Sequence, residues 1–147
     1  VADASLGAIK QALINKVYDV FSETHGLDMN IYPHSVEQGA NMPAFFISSV
    51  STDQEELMYE RAKKINKFQI VYMTESPEEL EDVIERLNYN LVYVMLDDGL
   101  LRASKKKANI VDQTVVFLVN FDFIGKRTKV YETLMESLEI VQELKGE

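Results

Sequence analysis

His25 and His34 are the only two imidazoles in the chain, so a serine nucleophile has to find its base at one of them. Neither stands in a setting that assembles a triad. The sequence has no G-x-S-x-G turn, no Gly-rich phosphate loop, no H-E-x-x-H pair and no acidic calcium loop with its glycine. Tyr32, His34 and Glu37 are close enough along the chain for a small acid–base cluster. Only that proximity supports it, and a polar loop is the preferred reading of the same residues. Asp97-Asp98 before Gly99 offers two carboxylates to a magnesium ion, but the same three residues make an ordinary helix end. Cysteine is absent, which excludes disulfide frameworks, thiolate zinc sites and thiol nucleophiles and fits a reducing compartment. The reading is a non-enzyme, with no catalytic residue, cofactor or metal assigned.

The elements that would have to position any such group fit one domain. With 147 residues, 46% of them hydrophobic, the chain can bury a core without metals or disulfides. Net charge is −9, from 24 acidic and 15 basic residues, which disfavours unspecific binding to nucleic acid or to an anionic membrane. Two local exceptions, Arg61 with Lys63, Lys64 and Lys67, and the run Lys105-Lys106-Lys107, read as solvated strand edges or loops. No apolar run is long enough for a membrane span, and no basic stretch leads into an apolar one at the start, so a soluble cytoplasmic chain is expected.

The strongest pattern lies between Val115 and Phe123. Val115, Phe117, Val119, Phe121 and Phe123 alternate with Val116, Leu118, Asn120 and Asp122, the period-two signature of a strand with two unlike faces. Each large apolar side chain on the aromatic face contributes roughly 1.5–3 kcal/mol when it leaves water, so something must cover it. Residues 4 to 24, with Leu6, Ile9, Leu13, Val17 and Val20 at helical spacing, supply one amphipathic helix, capped by Asp3 or Ser5 and closed by His25-Gly26. His25 there meets the helix dipole. Ser76-Pro77-Glu78-Glu79 reads as a capping box opening a second helix that runs from Pro77 to about Leu96 and ends at Asp97-Asp98-Gly99. Strands are expected at Met29–Tyr32, Ala44–Val50, Ile65–Thr74, Leu100–Lys107 and Thr114–Ile124, with a turn around Asn41-Met42-Pro43 and a break at Gly125. Residues 51–64, rich in carboxylates and then in lysines, read as an exposed flexible loop or the tip of a hairpin. The segment 126–147 is of uncertain role: Val130, Leu134, Leu138, Val141 and Leu144 fit a helix, and Met135 to Val141 also fits a short edge strand. The sum is an α+β fold, an antiparallel or mixed sheet of four to five strands with two main helices packed on one face.

The run Ile31-Tyr32, then Val36-Glu37-Gln38-Gly39, then Pro43-Ala44-Phe45-Phe46-Ile47 resembles the I-Y…E-Q-G…P-x-F-F-I run of tail terminator proteins from tailed phages and prophages of Gram-positive hosts. The polar loop, the Phe68-Gln69-Ile70 strand, the second helix and the Phe121-Asp122-Phe123 ending follow in the same order. The resemblance implies a six-fold ring that caps the tail tube, stops its polymerisation and provides the head-joining surface. It implies as partners other copies of the chain, the tail tube protein and a head-completion or connector protein, and as location the tail–head junction of the virion, assembled in the host cytoplasm. For residues it implies structural roles alone: Gly39 and Pro43 shape a turn, Phe45 and Phe46 straddle the sheet, and Phe121 with Phe123 build the core. The C-terminal segment is longer and more helical than the family pattern.

Two further expectations rest on the residues themselves. Phe46, Val50, Val116 and Leu118 put apolar side chains on strand faces that one helical layer need not cover, which marks a partner interface. The loop bearing Asp53, Glu55, Glu56, Arg61, Lys63 and Lys64 is a candidate to project from a ring. The alternative function is a small ligand-sensing or toxin–antitoxin type module using a cleft between sheet and helix.

Overall fold

The computed structural model describes residues 5–25, 30–34, 43–97 and 99–126. Its first helix, α1, spans Leu6–His25. Ser5 is its cap, accepting a hydrogen bond from the Ala8 backbone N–H at its Oγ (3.1 Å). Ile9, Leu13, Val17 and Phe21 recur every four residues, share one face and are fully buried.

Six strands follow: β1 (Asn30–Tyr32), β2 (Ala44–Leu57), β3 (Arg61–Met73), β4 (Tyr93–Leu96), β5 (Gly99–Val111) and β6 (Thr114–Lys126), ordered β1-β2-β3-β6-β5-β4 across the sheet. β1 runs parallel to β2 and every other neighbour pair is antiparallel, so the sheet is mixed. It is curled into a half-barrel, and bulges at Ser49/Ser51 and Ala103/Lys105 contribute to that curl. The expected four to five strands are thus corrected to six.

The sixth strand is β4, which comes out of the expected second helix. That helix, α2, covers only Leu80–Asn90 after a 3-10 turn at Pro77–Glu79. Leu91 and Val94 lie at helical spacing from Leu87, but Val92, Tyr93 and Val94 are β-branched or aromatic, and they leave the helix to pair with β5. Asp97 therefore belongs to the β4–β5 turn and not to a helix end. Nor does the capping box close. Ser76 makes no side-chain cap bond, and the Glu79 carboxylate is drawn instead to Tyr72, whose hydroxyl donates to Oε2 at 2.8 Å.

Of the two readings of residues 51–64, loop or hairpin tip, the structure shows the hairpin. These residues form the distal half of a β2–β3 hairpin whose turn is only Met58–Glu60. The paired register explains why so polar a stretch is sheet: Glu55 lies opposite Lys63, Gln54 opposite Lys64 and Asp53 opposite Ile65, and opposite charges directly across a ladder favour the pairing. β5 likewise runs on to Val111, leaving a two-residue turn at Asp112-Gln113, and β6 carries through the expected break at Gly125. The C-terminal segment from 127, together with Gly26 and residues 35–42, lies outside the described residues.

One core joins the helices to one face of the sheet. Phe45, Ile47, Phe68, Ile70, Tyr72, Val115, Phe117, Val119 and Phe121 meet α1 and α2 there, without solvent exposure. Phe21, Phe45 and Tyr72 form an aromatic chain with centroids 4.8 and 4.6 Å apart. The aromatic face of β6 is the floor of this core, and the two helices are its cover.

Candidate assembly surfaces

The sheet face away from the helices carries Val71 and Met73 from β3 and Val116, Leu118, Asn120 and Asp122 from β6, all alternate to core positions. At its β1 end Phe46 is only 1% exposed, because Tyr32 stacks on it (centroids 5.1 Å, planes 16° apart) and Ala44 and Val71 flank it. Phe46 therefore belongs to a second small core and is not open to a partner. Val50 sits in the β2 bulge and is half exposed, while Val116 and Leu118 are half-buried. Phe45, Phe121 and Phe123 lie in the main core, Ile31 packs against it, and Pro43 leads into β2. Glu37, Gln38 and Gly39 lie outside the described residues, so the Tyr32–His34–Glu37 cluster is visible only as a ring contact between Tyr32 and His34 at 5.7 Å.

The hairpin arm is the most exposed part of the sheet. Asp53, Glu55, Glu56 and Arg61 face solvent, and Lys63 and Lys64 are half-buried, with Lys64 Nζ 5.7 Å from the Phe123 ring centroid. At the tip Met58 and Tyr59 are 76% and 85% exposed. Tyr59 and Glu60 both hold φ at 61°, the left-handed region that non-glycine residues adopt at a cost.

Both sides of the four long strands are open over part of their length. β1 covers β2 only at Ala44–Phe46, and β4 covers β5 only at Gly99–Arg102. Among the described residues no strand pairs the outer edge of 47–57 or of 105–111. Lys105 and Lys107 are exposed on the second edge, and Lys106 reaches back to donate to the Asn88 carbonyl at 2.7 Å. Reading the lysine run as a solvated edge was correct in place. Two open edges of one sheet could be found only once the strand order was known.

Among the described residues, Tyr72 carries a shifted group whose role is structural. Burial, reinforced by the hydrogen bond to Glu79, pushes the Tyr72 phenol well above its usual range. The group is neutral and holds the end of β3 against the turn before α2. Among the described residues no three His, Asp or Glu side chains gather as metal ligands.

Residues 8–133 match a family model described as phage tail terminator protein. The chain belongs to that family. The matched span takes in nearly all of α1 and the whole sheet, so the family assignment covers the fold just described and gives it a structural role in phage tails. The tail terminator fold also recurs in a chain from the virion of a native gene transfer agent particle. That chain is 17% identical, with a TM-score of 0.53, and the match covers 82% of this chain and 96% of that one. No curated protein matches.

Proposed function

We propose that this tail terminator closes into a ring on the end of the tail tube, stops tube polymerisation there and offers its outer surface to the head-completion protein. The observation that carries the reading is the pair of sheet edges that no strand among the described residues covers. A lone domain gains nothing from two long uncovered edges, whereas a ring of identical subunits uses both in every subunit and leaves none free. The exposed apolar tip, Met58-Tyr59, is the part of the arm that reaches tube or head. Val116 and Leu118 add a half-buried apolar surface on the open face of the sheet. In this reading the protein resides in the virion at the tail–head junction, and its partners are its own copies, the tube protein and the connector.

The test is growth of tail tubes from purified tube protein with and without this chain. The expected result is that substoichiometric amounts, set by the number of tube ends, arrest elongation. Tubes that grow to unchanged length at full occupancy would reject the reading.

A further inference from the structure

The two open edges differ in charge: 47–57 of β2 carries acidic residues and 105–111 of β5 carries lysines. On the face away from the helices, β2 presents Asp53 and Glu55 and β5 presents Lys105 and Lys107. Resting on the ring reading, we infer that the β2 edge of one copy pairs antiparallel with the β5 edge of the next, with Glu55 opposite Lys105 and Asp53 opposite Lys107.

Strand direction allows this pairing. β2, β3, β6 and β5 alternate in direction, so a neighbouring β2 laid against β5 continues the alternation without a break. Like edges repel, acid against acid and lysine against lysine, so the arrangement is head-to-tail and not two-fold.

Steric fit limits the register and charge selects it. Across one copy, Ser51 is level with Lys67, Asn120 and Lys105. A neighbour placed at that level would set its residues 54–57 opposite Gly99–Arg102, where β4 already pairs, and its own β1 would collide with Ile110 and Val111. Sliding the neighbour by four residues carries its β1 beyond the end of β5 at Val111 and takes its strand residues off Gly99–Arg102, so that 49–55 lie opposite 105–111 and only the Met58–Glu60 turn stands level with β4. The same slide brings Asp53 and Glu55 onto the lysines.

The slide has the size that closure requires. Four residues rise about 13 Å, and four strands at about 4.8 Å spacing span about 19 Å. Their ratio corresponds to a strand tilt of about 35°, within the range of closed barrels.

Charge reversal of each edge tests the inference. One variant carries Asp53→Lys with Glu55→Lys, the other Lys105→Glu with Lys107→Glu; all four positions are exposed, and because Glu55→Lys sets like charge opposite Lys63, urea unfolding checks that both variants remain folded. Assembly is read by size exclusion with light scattering and, for a chain that closes only there, on tube ends by electron microscopy. The expected result is that each variant alone stays monomeric under conditions that assemble the parent, while an equimolar mixture assembles to the parent's size, because each reversed edge then meets its complement. Either variant assembling alone like the parent, or a mixture that stays monomeric, overturns edge pairing and leaves the ring reading standing. A parent that assembles neither in solution nor on tube ends overturns the ring reading, and this inference with it.

Discussion

Tyr72 shows how a single side chain in this fold serves the core and a turn at once. Its ring is fully buried between Phe45 and the helices, and its hydroxyl holds the Glu79 carboxylate that sequence pattern assigns to a cap. Because its folded pKa is raised, the folded state keeps its proton where the unfolded state, near pKa 10, has lost it. The tyrosine's contribution is therefore complete below pH 10 and declines above it, by up to about 1.4 kcal/mol per pH unit. Tyr72→Phe should cost about 1 kcal/mol at pH 7 and should lack the steep loss above pH 10. Urea midpoints at pH 7 and across pH 9–11 check both statements. Leu118 lies on the opposite face, half-buried between Gln69 and Lys107 in the sheet. Leu118→Glu is expected to leave the urea midpoint nearly unchanged and to weaken assembly measured by light scattering. Unfolding of the monomer would instead place Leu118 in the core.

The elements divide into those that carry core and those that reach beyond it. β6 has Phe117, Val119 and Phe121 on one side and, like β3, is covered by strands on both edges. Its entry turn is less favourable. Asp112 and Gln113 hold φ at 47° and 63°, the two-residue geometry in which Asn-Gly is preferred. The double substitution Asp112→Asn with Gln113→Gly should raise stability by about 1 kcal/mol, seen as a higher urea midpoint at unchanged slope. Both long helices and the core faces of β2, β3 and β6 were legible in the sequence, because buried apolar residues repeat with the period of their element. β4 was hidden because Leu87, Leu91 and Val94 imitate a helical face, although Val92-Tyr93-Val94 carries the strand signal. The outer half of the hairpin was hidden for a different reason. Its β2 strand is exposed along 49–56 and has no apolar period, and only the acidic run of β2 set against the basic start of β3 betrays the pairing.

At the scale of the molecule, the candidate surface was legible in its parts and not in its arrangement. The lysines at 105–107, the acidic residues at 53–56 and the exposed tip all stand out in the sequence, but that they occupy opposite edges of one curled sheet depends on strand order. Phe46 shows the converse: an apolar side chain away from the helices looks available to a partner until Tyr32 is found stacked on it. The central claim is that the chain caps tail tubes as a ring, and imaging of tube ends tests it most directly. Tail tubes incubated with the protein and viewed by electron microscopy should carry one ring of subunits at the growing end and stop lengthening. Bare ends on tubes that continue to grow in the presence of excess protein would contradict it.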